Sequence, residues 1–236
     1  MKRTRFIQLL RFGRNAWEIL RDNRSGVALT EFALGFPVLF TLAMFGVETA
    51  NLALTHLKIS QIALNLADNA SRVGVAGLAS QQMREYDIND IIQGARLQGQ
   101  SIGLTTKGRI TLSSLENQSG TQMIHWQRCV GLKSGAGYDS SYGTTTTTDG
   151  TDNTAANDGT PAPSGMGDPG SMVNAPTGSG VIFVEVNYLY TPMMGWLASP
   201  SRLHYVASFI IRDPRDFSQI FPYAGATPAT CNLYTT

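Results

Sequence analysis

An α+β fold carried on a long amino-terminal helix is predicted by three features of the chain. An apolar run from about residue 27 to residue 50 is followed, without a turn signal, by helical periodicity as far as about Val75. Near the other end, Val181–Tyr190 and Arg202–Arg212 each place apolar residues at every second position, the mark of a strand with one covered face. The chain has 236 residues, 42% of them hydrophobic and 15% charged, which suffices for one domain besides a span and a leader.

The apolar run comes first. Between Phe32 and Val47 only Thr41 is polar, and with Val27–Thr30 the stretch reaches roughly 20 residues, the short end for a membrane span. Pro37 removes one helical hydrogen bond and is expected to kink the helix. Before the run lies a basic amphipathic leader, residues 1–26, in which Lys2, Arg3, Arg5, Arg11, Arg14, Arg21 and Arg24 face only Glu18 and Asp22. The leader is thus near +5 in a chain of net charge +1, and basic residues flanking a span stay in the cytoplasm, so the remainder is expected outside. An ordinary signal peptidase is disfavoured, because the run ends at Val47-Glu48-Thr49-Ala50 without an A-x-A-like site. Nucleic acid is not an expected partner, since the body has no basic stripe interleaved with aromatics.

Within this region Glu31 has to be explained. A carboxylate in a membrane helix costs about 2.5–3.5 kcal/mol at mid-bilayer, less near the interface. If the chain is cut after Gly26, the new ammonium on Val27 lies four residues from Glu31 on one helix face, and the cut itself supplies the counter-charge.

Gly26, Val27–Thr30, Glu31 and Phe32, with Ala33-Leu34, Pro37, Gly46 and Glu48 following, resemble the class III prepilin processing site and amino-terminal segment of TadE/TadF-like minor pilins (pseudopilins) of tight-adherence (Tad) pilus systems. The similarity runs from about Ser25 to Gly77 and returns more weakly in the two terminal strands. It implies a minor pilin of a Tad-type, type IVb-like pilus: a prepilin-peptidase substrate cleaved between Gly26 and Val27, with Glu31 and Phe32 as the processing and assembly motif. The implied site is the bacterial inner membrane, in single-pass topology with a cytoplasmic amino terminus and a periplasmic carboxy-terminal domain, extracellular once in a pilus. The implied partners are other Tad pilins and assembly-platform proteins, and the role is pilus assembly, initiation or adhesion. The rival reading is a permanently anchored envelope protein whose outward domain binds a partner or surface.

The remaining elements follow in order. Residues 51–79 extend the first helix, with an apolar stripe of Leu52, Ala53, Leu57, Ile59, Ile62, Ala63, Leu66, Ala67, Ala70 and Val73 ended by Gly74 and Gly77. The outward α+β domain, residues 80–236, opens with a short helix over Ile88–Gln98, with Asp87 as N-cap and Gly99 closing it. Arg109–Ser113 alternates as a strand, and so does the face Ile124, Trp126, Arg128 and Val130. The last two strands read as an antiparallel pair against a helix, with Ile182, Val184, Val186, Tyr188 and Tyr190 on the covered face of the first strand and Leu203, Tyr205, Ala207, Phe209 and Ile211 on that of the second. Residues 133–180 are rich in Gly, Ser, Thr, Asp and Asn and read as a mobile outward loop or a loosely packed excursion.

Two cysteines, Cys129 and Cys231, form one bridge in an oxidising compartment or remain two buried thiols. No metal, cofactor or enzymatic chemistry is expected. His56, His125 and His204 lie in no metal-ligand spacing, Asp149, Asp152, Asn153 and Asp158 match no EF-hand loop, and there is no G-x-S-x-G elbow or Gly-rich phosphate loop.

Overall fold

The computed structural model describes residues 25–76, 80–196 and 198–236. The basic leader therefore lies outside the described residues except for its last two positions, as does Gly77. The chain divides into two units, Met1–Ala50 and Asn51–Thr236.

In the first unit the described residues belong to helix α1, Ser25–Arg72, which continues into the second. Pro37 sits inside α1 and does not interrupt it. The three threonines of this half turn their hydroxyls onto the helix: Thr30 donates to the carbonyl of Val27, Thr41 to that of Pro37 and Thr49 to that of Phe45. Their polarity is thereby consumed locally, which suits an apolar surrounding. Phe32, Phe36 and Phe40 form a stacked column at four-residue spacing.

The second unit is built on a five-stranded antiparallel sheet in the order β5-β4-β3-β6-β7. Its strands are β3 (Gly108–Gln118), β4 (Thr121–Val130), β5 (Thr160–Pro161), β6 (Gly180–Tyr190) and β7 (Ser201–Ile210). A minor pair, β1 (Val75–Ala76) with β2 (Gln81–Gln82), follows α1. Helix α2 (Glu85–Gly99), a 3-10 turn (Gln100–Ile102) and the single-turn α3 (Leu104–Lys107) then lead into β3. The β3–β4 hairpin turns at Ser119 and Gly120, both with positive φ (52° and 90°), as a two-residue connection matching the strand twist requires.

One face of the sheet carries the main core. Ile59, Ile62, Ala63, Leu66, Ala67 and Ala70 of α1, with Ile88, Ile92 and Ala95 of α2, bury against Ile110, Leu112, Trp126, Val184, Val186 and Tyr188. The α1 stripe is narrower than its apolar letters: Leu57 is exposed, while Thr55 and Ser71 are buried. The terminal strands present the expected faces, Ile182 to Tyr190 on β6 and Leu203, Ala207 and Ile211 from β7 onward.

Three local expectations are corrected. The N-cap of α2 is Arg84, and Asp87 stands at the third helical position, where its carboxylate accepts the Arg84 backbone N–H and ion-pairs its guanidinium. Helix α1 ends at Arg72, because the Arg215 guanidinium collects the carbonyls of Ala70, Ser71 and Val73 and so satisfies the helix end. Burial pushes this guanidinium down to about 10, which leaves it charged at neutral pH. Finally, Ile124 leaves the face of Trp126: Ser114 pairs Trp126 while Leu115 pairs Ile124, so His125 is an extra, bulged residue and the alternation reverses.

The largest difference concerns residues 133–180, expected as an outward loop. They lie back over the sheet's second face, where Tyr142, Ala162, Met166, Val173 and Ala175 cluster with Leu115, Ile124, Val181 and Phe183. Polar side chains of the sheet hold the rest. Glu185 accepts the Ser141 N–H, the Gln127 amide bonds Gly143 and Thr145, and Gln122 bonds Ala175 in both directions. Glycine permits the closest approach: a Cβ on Gly159 would stand 2.1 Å from the Ile124 carbonyl oxygen. Both faces of the central strands are thus covered, and their polar residues are anchors for the excursion.

Candidate functional site

The residues singled out by sequence occupy the first two turns of α1 as described. Gly26 and Val27 lie in its first turn, with Glu31 and Phe32 one turn on. Val27 is 54% and Phe32 63% exposed, and Glu31 is exposed beside them. The Thr30 hydroxyl bonds the Val27 carbonyl three residues back, immediately before Glu31. Glu31 receives no hydrogen bond from any described residue. Below it, Leu29, Leu34, Phe36, Val38, Leu39, Phe40, Leu42 and Phe45 are all exposed. No residue of the most apolar 18-residue stretch of this helix is buried, and its length and composition suit a membrane span or, equally, an amino-terminal signal sequence.

In the second unit Cys129 and Cys231 are joined as a disulfide, with a Cα–Cα distance of 4.7 Å. The bridge fastens the carboxy-terminal segment along β4, where the Cys129 N–H donates to the Ala229 carbonyl and the Gly131 N–H to that of Thr235. Arg109 completes the attachment. Its guanidinium, 1% exposed, donates to the carbonyls of Gly131, Cys231 and Leu233, lies 3.1 Å from Asp139 and is covered by the Tyr234 ring at 4.2 Å. Burial lowers the Arg109 pKa, and Asp139 opposes that shift.

Three polar groupings escaped the sequence reading. Arg128 is wholly buried and forks onto Glu85 of α2. The signal was present, since a charge on the apolar face of a strand needs a buried partner. The second grouping is Ser114, Glu116 and His125, in which Glu116 accepts both the Ser114 hydroxyl (2.6 Å) and His125 Nδ1 (2.8 Å). Serine and histidine meet the carboxylate but not each other, so no nucleophile–base contact forms and the group serves as a buried ion pair. The third runs from Asp168 through the Tyr142 hydroxyl to His204 and Asn187, and ties the excursion to β6 and β7. Burial and Asp168 both push the Tyr142 hydroxyl up from its ordinary value.

The His125 pair has a pH signature. Burial lowers the imidazole pKa, but the hydrogen bond and charge of Glu116 outweigh it, so the pKa is raised above its ordinary value of 6.5. A raised histidine contributes its stability in full below its unfolded pKa and loses it as the pH rises through the folded pKa. The melting temperature should therefore fall as the pH rises past the ordinary histidine value of 6.5 and through the higher folded-state value, and His125→Gln should flatten that fall. An unchanged slope in the variant would refute this assignment.

Among the described residues no group of three or more His, Cys, Asp or Glu side chains converges as a metal site. Asp149 accepts the Thr146 N–H and Asp152 the Thr154 N–H, both within the excursion. Comparison with protein-family models, curated proteins and solved structures finds no match for this chain.

Proposed function

We propose that this chain is a membrane-anchored minor pilin or pseudopilin of the TadE/TadF-like kind, cut between Gly26 and Val27 and held in the bacterial inner membrane by α1 until it joins a Tad-type pilus. The observation that carries the reading is Glu31, an exposed carboxylate without a described partner, four residues beyond Val27 at the head of a stretch, Phe32–Val47, whose exposed surface is apolar but for Thr41. A cut before Val27 creates an ammonium at the positive end of the helix dipole, and a carboxylate one turn away offsets both charges. In an assembly the same carboxylate can instead meet the ammonium of a neighbouring subunit. The α+β unit that follows is the part carried outside, where an oxidising compartment accounts for the Cys129–Cys231 bridge. The partners of this reading are a prepilin peptidase, other Tad pilins and assembly-platform proteins.

Mass spectrometry of the membrane-extracted protein tests the first step. The expected species begins at Val27 and appears only when the dedicated peptidase is present; an intact leader favours a permanently anchored envelope protein. Assembly is tested by Glu31→Gln, which should leave cutting intact and reduce piliation by roughly tenfold or more, because a charge pair in lipid loses its anion. Full piliation of a processed Glu31→Gln protein rejects the role given to Glu31.

A further inference from the structure

One edge of the sheet is open. The N–H of Ile211 bonds the Gly180 carbonyl, and the β6–β7 register runs unbroken from Val181↔Ile210 to Tyr190↔Ser201. Hydrogen-bonded and non-bonded pairs alternate in an antiparallel ladder, so the odd-numbered residues of β7 are those bonded to β6. The N–H and C=O groups of Arg202, His204, Val206, Ser208 and Ile210 point away from the sheet, and no backbone group among the described residues meets them.

The opposite edge is closed, since β5 pairs Met123 and Ile124 while the carboxy-terminal segment covers Cys129 and Gly131. Edges are ordinarily guarded by lysine, proline or a bulge. β7 has none of these, and its one charge, Arg202, is turned onto Asn187 and the Gly137 carbonyl. Val206 and Ile210 are 37% and 51% exposed along it, and a cavity of 280 Å³ between Phe209, Ile210, Asp213 and the last turns of α1 leaves space beside its end.

We propose that β7 is a docking edge for an extended strand of a different protein. Only another extended backbone presents donors and acceptors at the spacing of these five residues. The arriving strand needs apolar or β-branched side chains opposite Val206 and Ile210 and no proline opposite the open groups. A second copy of this chain is the poorer occupant. Its β4 edge is already covered, and antiparallel β7–β7 pairing needs a two-fold axis normal to the sheet. That axis reverses every direction lying along the sheet, so the Asn51 ends of the α1 turns packed on the two sheets, from which each chain leads to its anchor, would face opposite ways. The choice of a different protein rests on the membrane-anchored reading above; the open edge itself does not.

Amide hydrogen exchange on the full chain in detergent micelles tests the edge, with a capped synthetic peptide of about seven alternating threonines and valines as the probe. The amides of Arg202, His204, Val206, Ser208 and Ile210 should exchange quickly in the free protein and gain about tenfold or more protection with millimolar peptide. Val206→Pro should abolish that gain while the protein stays folded, because the lost N–H points away from β6. Ala207→Pro, which removes a bond to β6, should destabilise it and so marks the strand's two sides. Absent protection, or protection that survives Val206→Pro, overturns the proposal whether or not the chain is anchored or cut. For the partner, a photo-crosslinking residue at position 206 in intact cells should give an adduct with a different chain that disappears with Ser208→Pro. An adduct at twice the mass of this chain overturns the choice of partner.

Discussion

Replacing Glu85 by alanine should cost the second unit about 3–5 kcal/mol, one of the two largest effects expected of any single substitution considered. Arg128 lies wholly buried between the sheet and α2, and its guanidinium donates through Nε and a terminal nitrogen to the two Glu85 oxygens. The only other acceptor it reaches among the described residues is the Gln127 carbonyl at 2.9 Å. Removing the carboxylate strands a cation away from water, and neither water entry nor deprotonation of a guanidinium is cheap. Urea unfolding of the purified full chain in micelles reads the loss as a lowered midpoint. The paired change Glu85→Leu with Arg128→Met should recover most of it, because apolar replacement of both partners removes the desolvation cost together with the attraction. A single Glu85→Ala variant as stable as the parent would mean that Arg128 finds solvent, contrary to its position.

Reducing the Cys129–Cys231 bridge, or replacing Cys231 by serine, is expected to cost at least as much. The two cysteines are 102 residues apart, and closing a loop of that length restricts the unfolded chain by about 4–5 kcal/mol in the entropy model. The loss should appear as a lower urea midpoint in reductant. It should come with faster proteolysis after residue 226, since Ala229 and Thr235 are otherwise held to β4 by single backbone bonds. Arg109 resists this release through the carbonyls of Cys231 and Leu233, so the serine variant should keep the segment partly in place. If the midpoint is insensitive to reductant, the bridge contributes nothing to the folded state.

Much of the first face was legible in the chain. Ile182, Val184, Val186, Tyr188 and Tyr190 alternate without interruption because one set of side chains meets α1, and the i, i+3, i+4 recurrence from Ile59 to Ala70 is the answering stripe. Such periodicities are local geometry, written wherever a regular element buries one side. The second face was not legible. Thr111, Ser113, Gln127, Glu185 and Asn187 look like solvent-facing positions of a one-sided sheet, yet each is nearly inaccessible. Residues 133–180 have few of the large apolar side chains that announce burial, and besides the small cluster around Met166 they are joined to the sheet by amide and carboxylate hydrogen bonds. Polar letters carry no sign of whether their partner is water or another segment. The bulge at His125 was hidden for a related reason, since one extra residue shifts a face without altering composition.

By itself the sequence determined the elements with a period: the apolar helix, its amphipathic continuation, the alternating terminal strands and the placing of Glu31 one turn beyond Val27. These depend on neighbours within a few residues, so the chain states them directly. Only the tertiary structure decided which polar residues are buried, that Arg128 answers Glu85 across 43 positions, that Cys129 meets Cys231, and that β7 rather than β4 is left with open backbone groups. Each of those outcomes is a meeting of groups distant along the chain, and it is fixed by which surfaces can exclude water together, a property that no short window of residues contains.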